Sequence, residues 1–153
     1  MSHAIAAQSP VSPWLPRVIR LVSVSFLVFF GSAVFLILTH VDHLLLESAP
    51  GQLLMRLVRW GHQDGGGEHY ELMISVVYIV WGAFLWKAAA DPLGNKLFLD
   101  FTVVANLAHF GLMFLQGLLM HGEHIHLLGD VLMGWVLVVA LMIVWLPARA
   151  QAR

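Results

Sequence analysis

Long apolar stretches separated by short polar segments dominate the chain. At a rise of about 1.5 Å per residue, each stretch is long enough as a helix to cross a hydrocarbon core of about 30 Å. The pattern predicts an all-α integral membrane protein, an up-down-up-down four-helix bundle formed by a single membrane domain over residues 1–153. The four predicted spans cover about residues 18–39, 71–90, 97–120 and 127–146.

Proline and glycine mark the ends of these spans. Asp91-Pro92 and Gly94 end the second span, and Pro147 closes the fourth, because proline cannot continue a helix. A cleaved signal peptide is the alternative for the first span. Its apolar run is too long for one, however, and is followed by LTHVDH rather than by a small-residue cleavage site. We therefore expect it to be retained as a helix.

The distribution of lysine and arginine predicts the orientation. The outer loop 40–70 contains the segment GQLLMRLVRW at about 51–60, in which two arginines alternate with apolar residues, as in a short helix that lies in the membrane interface. The other cationic residues fall on the opposite side, which indicates a multi-pass protein of the bacterial cytoplasmic membrane with both termini cytoplasmic. They are Arg17, Arg20, Lys87, Lys96, Arg149 and Arg153.

Composition supports a membrane protein and excludes several classes of site. The chain is 59% hydrophobic and 11% charged, whereas about a quarter of the residues in soluble domains are charged. It has no cysteine, which excludes disulfides, thiolate-bound zinc, iron–sulfur clusters and covalently attached haem. The net charge is −1 without a basic run, so the expected partner is the lipid bilayer and not nucleic acid.

Histidines concentrate on the predicted outer face, above all in the segment HGEHIHLLGD at 121–130. His126 and Asp130 are four residues apart and so share a helix face, His121 and His124 lie in the adjoining turn, and Glu71 begins the second span. Imidazole and carboxylate groups suit Cu, Zn or Fe, so these five residues form a candidate metal site. The alternative is structural, since an acid in the first turn of a helix complements its dipole.

The third span carries its polar and sulfur-containing side chains on one stripe, because they recur at steps of three and four. Polar groups are costly against lipid, so the stripe should face the bundle or a partner protein and supply interhelical hydrogen bonds. Its members are Thr102, Asn106, His109, Met113, Gln116 and Met120.

His109 is a candidate cofactor ligand within this stripe. Ala105 precedes it by one turn, a spacing that can seat a haem or a chlorin. The depths of His109 and Asp130 differ by about 10 Å, whereas metal–ligand bonds are about 2 Å long. The two residues are therefore predicted to belong to separate sites.

The stretch ELMISVVYIVWGAFLWKAAADPLGNKLFLDFTVVANLAHFGLMFLQ, followed by HLLGDVL, resembles an uncharacterised family of small bacterial four-span membrane proteins over about residues 70–135. The resemblance implies the fold and the membrane placement, and no activity. The shared positions are Glu71, Asp91, Pro92, Asp100, Phe101, Thr102, His109, His126, Gly129 and Asp130.

No set of residues for nucleophilic catalysis stands out, which favours a role without enzymatic activity. The first hypothesis is a structural or accessory subunit of a larger membrane complex, with other membrane subunits or a second copy as partners. The second is a metal-binding protein that uses the outer His/Asp/Glu rim. The third is a haem- or chlorin-binding subunit that uses His109.

Overall fold

The computed structural model describes residues 12–60 and 67–151, and this part of the chain is helical without a strand, which confirms the all-α prediction. The elements are α1 (Trp14–Thr39), α2 (Asp42–Leu46), α3 (Ala49–Val58), α4 (Glu68–Ala88), α5 (Lys96–Leu119), a 3-10 turn (His124–Leu128) and α6 (Asp130–Gln151). Four segments, α1, α4, α5 and His124–Gln151, are long and apolar enough to cross a membrane. The chain is therefore a multi-pass membrane protein.

The last helix differs from the prediction at both ends. Residues 124–128 form the 3-10 turn, and α6 begins only at Asp130. Pro147 lies inside α6, which continues to Gln151, so the prediction that Pro147 closes the helix is wrong. Proline costs one intrahelical hydrogen bond, but the turn around it is held by the rest of the bundle. Ala148 is buried, and Arg149 Nε donates to Asp100 Oδ2 at 2.9 Å.

Two short helices form one end of the bundle, which we call the loop end; it comprises α2, α3 and the 3-10 turn. The predicted interfacial helix at 51–60 corresponds to α3, whereas α2 was not predicted. Ser48 caps α3 by accepting a hydrogen bond from the Gly51 backbone N–H at 3.2 Å. A Cβ at Gly129 would lie 2.0 Å from the Leu57 carbonyl oxygen. Glycine at 129 therefore lets α3 pack directly against the 3-10 turn.

α1 packs directly against α4. Ser23 Oγ donates to the Gly82 carbonyl at 2.7 Å, and the ring of Phe30 stacks on Tyr78 with a centroid distance of 4.2 Å. A Cβ at Gly82 would lie 3.1 Å from the Ser23 carbonyl oxygen. The absence of a side chain at Gly82 thus permits this close approach.

α4 and α5 are joined by two side-chain hydrogen bonds in the half away from the loop end. Trp81 Nε1 donates to Thr102 Oγ1 at 3.0 Å, and the Tyr78 hydroxyl donates to Asn106 Oδ1 at 3.2 Å. All four side chains lie between the helices, and Tyr78, Thr102 and Asn106 are buried. Toward the loop end a cavity lies between α1, α4 and α5.

Candidate functional site

The cavity near the loop end has a volume of about 690 Å³. Small-molecule sites in proteins occupy about 300–1,000 Å³, so this space is large enough for a ligand. Phe29 and Phe30 of α1 and Phe110 of α5 form apolar walls, and Val58 and Trp60 border it at the loop end. Most of the lining is therefore hydrocarbon and aromatic surface.

The cavity opens sideways through the bundle. Three of its lining residues on α4 are largely exposed, Tyr70 at 75%, Met73 at 65% and Val77 at 53%. These side chains lie on a membrane-spanning helix. The mouth of the cavity therefore faces the surface that contacts lipid.

Three polar groups lie in the wall without a hydrogen-bond partner among the described residues. Ser75 on α4 is 1% exposed and its hydroxyl is unpaired. His109 and Gln116, both on α5, line the same space and also lack a hydrogen bond within the described part of the chain. A buried hydroxyl without a partner is costly, and most buried polar groups are satisfied. Ser75, His109 and Gln116 thus place polar groups in an otherwise largely apolar wall.

Asp130 lies at the polar side of the cavity and is held by three donors. His126 Nδ1 is 3.0 Å from Asp130 Oδ1, the Val131 backbone N–H donates to the same oxygen at 3.0 Å, and Trp60 Nε1 donates to Oδ2 at 2.7 Å. His126 Nε2 lies 3.1 Å from Glu123 Oε2. Each ring nitrogen of His126 therefore faces a carboxylate oxygen. Trp60 also stacks on His126 at 4.2 Å, so the indole is held in place over the cavity.

Arg59 holds the second polar cluster of the loop end. It is 6% exposed, and its guanidinium donates to Asp42 at 3.1 Å, Glu68 at 3.1 Å and Glu71 at 3.0 Å. Burial acts to lower the pKa of Arg59, but the charges and hydrogen bonds of Glu71 and Glu68 outweigh it and raise that pKa above its ordinary value. One cation therefore ties α2 and the start of α4 to the end of α3.

The structure brings together some of the predicted metal ligands. His126 Nδ1 lies 3.0 Å from Asp130 Oδ1, although His126 belongs to the 3-10 turn and not to the helix of Asp130. Glu71 binds Arg59. His121 is exposed, and His124 Nδ1 lies 2.7 Å from the Gly117 carbonyl oxygen. Within residues 12–60 and 67–151, no three His, Asp or Glu side chains are grouped as a metal ion would require. The outer histidine at position 62 lies outside the described residues.

His109 and Asp130, which were predicted to belong to separate sites, both line the same cavity. The difference in depth that rules out a shared metal ion does not rule out a shared ligand. A molecule that fills a cavity of about 690 Å³ can contact groups about 10 Å apart. The two histidine-containing features predicted from the sequence therefore converge on one space.

The polar stripe of α5 faces the bundle, as predicted. Thr102 and Asn106 make the hydrogen bonds to α4. The next three members line the cavity: His109, Met113 and Gln116. Of the stripe, only Met120, which is 46% exposed, does not face the bundle.

Sequence reasoning missed three residues of the site: Arg59, Trp60 and Ser75. Arg59 and Trp60 end the segment GQLLMRLVRW, which predicts an interfacial helix and assigns neither residue to a site. An available signal was the arginine's position in an apolar segment between acidic residues, where a buried cation needs partners. For Ser75, inside an apolar helix, no such signal exists.

Comparison with known proteins gives a family and no function. A protein-family model described as a family of unknown function (DUF6632) matches residues 34–152, a longer part of the chain than the resemblance over 70–135. No curated protein and no solved structure matches the chain.

Proposed function

We propose that the chain, which belongs to this family of unknown function, binds a lipid-soluble small molecule within the membrane. The observation that carries the proposal is the cavity of about 690 Å³, which is open toward lipid and contains the unpaired, buried hydroxyl of Ser75. An apolar cavity with a few polar groups in its wall is typical of a ligand-binding site.

The rigidity of the surrounding walls supports this proposal. Tyr78 is held by Asn106, and Trp60 by Asp130 and His126, so neither aromatic side chain is free to fill the space. Ligand sites are usually largely formed before the ligand binds. A cavity that the protein cannot close by itself is best stabilised by an occupant.

The proposal is tested by filling the cavity. Ala33 lines it, whereas Ala108 is exposed on α5, so Ala33→Phe and Ala108→Phe place the same ring inside and outside. We expect organic extracts of the purified wild type and of Ala108→Phe to contain one class of apolar molecule at about one per chain, by mass spectrometry. Ala33→Phe should lose it. If the wild type carries only the phospholipids of its membrane, or Ala33→Phe keeps the molecule, the proposal is refuted.

The earlier hypotheses stay proposals with their own tests. Haem or chlorin binding through His109 predicts an intense visible absorption band in the purified protein. Metal binding at the loop end predicts about one metal ion per chain, lost in His126→Ala. A structural or accessory subunit predicts that the chain co-purifies with other membrane proteins. Orientation with both termini in the bacterial cytoplasm is likewise a proposal, tested by reporter fusions.

A further inference from the structure

We propose that the head of the bound molecule is a flat, uncharged ring with carbonyl oxygens, the chemistry of a quinone, and that its apolar tail leaves the cavity toward lipid. This inference rests on the proposed function, since it names the class of molecule that occupies the same cavity. It follows from the charges, the free hydrogen-bonding groups and the shape of the walls.

The charges in the wall favour an uncharged head. None of the described residues that line the cavity is a lysine or an arginine, and two are acids, Glu71 and Asp130. An anionic head, such as a carboxylate or a phosphate, would meet two carboxylates and no cation at this site. A cationic head would find Glu71 bonded to Arg59 and Asp130 bonded to Trp60 and to its own helix. The site therefore provides no cation for an anionic head, and its two carboxylates already have hydrogen-bond partners in the protein.

Each of the free polar groups can donate a hydrogen bond to an acceptor on the bound molecule. Ser75 carries an O–H, the amide of Gln116 carries two N–H groups, and the ring of His109 carries at least one N–H. They lie on both α4 and α5, so a molecule between these helices can accept hydrogen bonds from both sides. Carbonyl oxygens on opposite sides of one ring fit this arrangement, whereas a plain hydrocarbon leaves every donor unpaired.

The walls suit a flat ring with a flexible tail. Phe29, Phe30 and Phe110 surround the space, and Trp60 borders it at the loop end; aromatic faces and edges pack well on a planar ring. Met73 and Val77 line the way out and are exposed. A saturated or isoprenoid tail can therefore lie between α4 and α5 and continue into the bilayer.

The experiment compares two ligands that differ in the carbonyl groups: a benzoquinone with a decyl tail and decylbenzene. Affinities come from the ligand-dependent rise of the thermal unfolding midpoint, which needs no chromophore, at equal mole fractions in detergent. We expect wild type to bind the quinone about ten times more tightly. Ser75→Ala should lower quinone affinity about three- to tenfold, the value of one hydrogen bond, and leave decylbenzene binding unchanged.

Ser32→Ala is the matched control, because the Ser32 hydroxyl is exposed and donates to the Val28 carbonyl of its own helix at 2.7 Å. It should bind both ligands as wild type does. Gln116→Leu repeats the test on the opposite wall, so the inference stays testable if Ser75→Ala does not fold.

The two proposals fail in different ways. If decylbenzene binds wild type as tightly as the quinone, or if neither Ser75→Ala nor Gln116→Leu weakens quinone binding, the quinone inference is overturned and the lipid-soluble ligand stands. If neither molecule binds and Ala33→Phe extracts match those of Ala108→Phe, the proposed function itself fails.

Discussion

Replacing Arg59 should destabilise the protein more than any other single change in its polar clusters. Arg59→Met keeps the length of the side chain and removes the cation that Asp42, Glu68 and Glu71 share. Three carboxylates would then lie close together without a positive charge between them. The end of α3 would lose its connection to α2 and α4.

The size of the effect follows from the exposure of the partners. The Arg59 side chain is 5% exposed, and those of Asp42 and Glu71 are 19% and 22% exposed, so these two pairs are largely desolvated. Breaking a buried ion pair costs about 3–5 kcal/mol, whereas Glu68, 43% exposed, adds less than about 1 kcal/mol. Because the two acids retain some water, we take the lower limit, about 3 kcal/mol.

Thermal unfolding in detergent, followed by far-ultraviolet circular dichroism, measures this loss. For a chain of this size about 3 kcal/mol corresponds to a midpoint lowered by roughly 6–12 °C. Arg59→Lys should fall between Arg59→Met and wild type, because an ammonium keeps the charge but lacks the planar fork that reaches several carboxylates. Arg56→Met is the matched control, since Arg56 lies one turn earlier on α3 and is exposed.

The raised pKa of Arg59 gives the sign of the pH dependence. Its stabilising contribution is fully present below the pKa of the unfolded chain and is lost only as the pH rises through the higher folded value, in strongly alkaline solution. The midpoint difference between wild type and Arg59→Met should therefore persist from neutral to moderately alkaline pH. An Arg59→Met midpoint equal to that of Arg56→Met would refute the assignment of Arg59 as the cation that holds the loop end together.

Two further changes test the packing around the cavity by the same unfolding measurement. A Cβ at Gly134 would lie 2.2 Å from the buried ring of Phe110, whereas a Cβ at Gly31 would meet open space. Gly134→Ala should therefore lower the free energy of unfolding by about 1–3 kcal/mol, and Gly31→Ala should not lower it. Equal unfolding midpoints for the two variants would contradict this. Trp60→Phe removes the 2.7 Å hydrogen bond to Asp130 but keeps a ring over His126. It should lower the free energy of unfolding by about 1–2 kcal/mol. An unchanged midpoint would show that this hydrogen bond does not stabilise the fold.

The helices were predictable because length and apolar character depend only on neighbouring residues. α1, α4 and α5 correspond to the first three predicted apolar stretches, and the stripe on α5 was visible as a spacing. The end of α6 was predicted less well, because Arg149 and the core around Ala148 hold the turn beyond Pro147. These contacts come from residues far apart in the chain.

The site was only partly predictable for the same reason. The pairing of His126 with Asp130 depends on a separation of four residues and was found. The carboxylates on Arg59 come from 9, 12 and 17 residues away, and the cavity exists because α1, α4 and α5 leave a space that no local pattern records. Ser75 becomes notable only once its surroundings are known.

The sideways mouth of the cavity determines how its occupancy should be measured. Tyr70, Met73 and Val77 border the opening on a membrane-spanning helix, so a molecule enters after it has dissolved in the bilayer. The concentration that governs binding is then its mole fraction in lipid, which partitioning can raise far above the aqueous value. An affinity measured in micelles will weaken as detergent is added, because the added micelles dilute the ligand in the phase from which it binds.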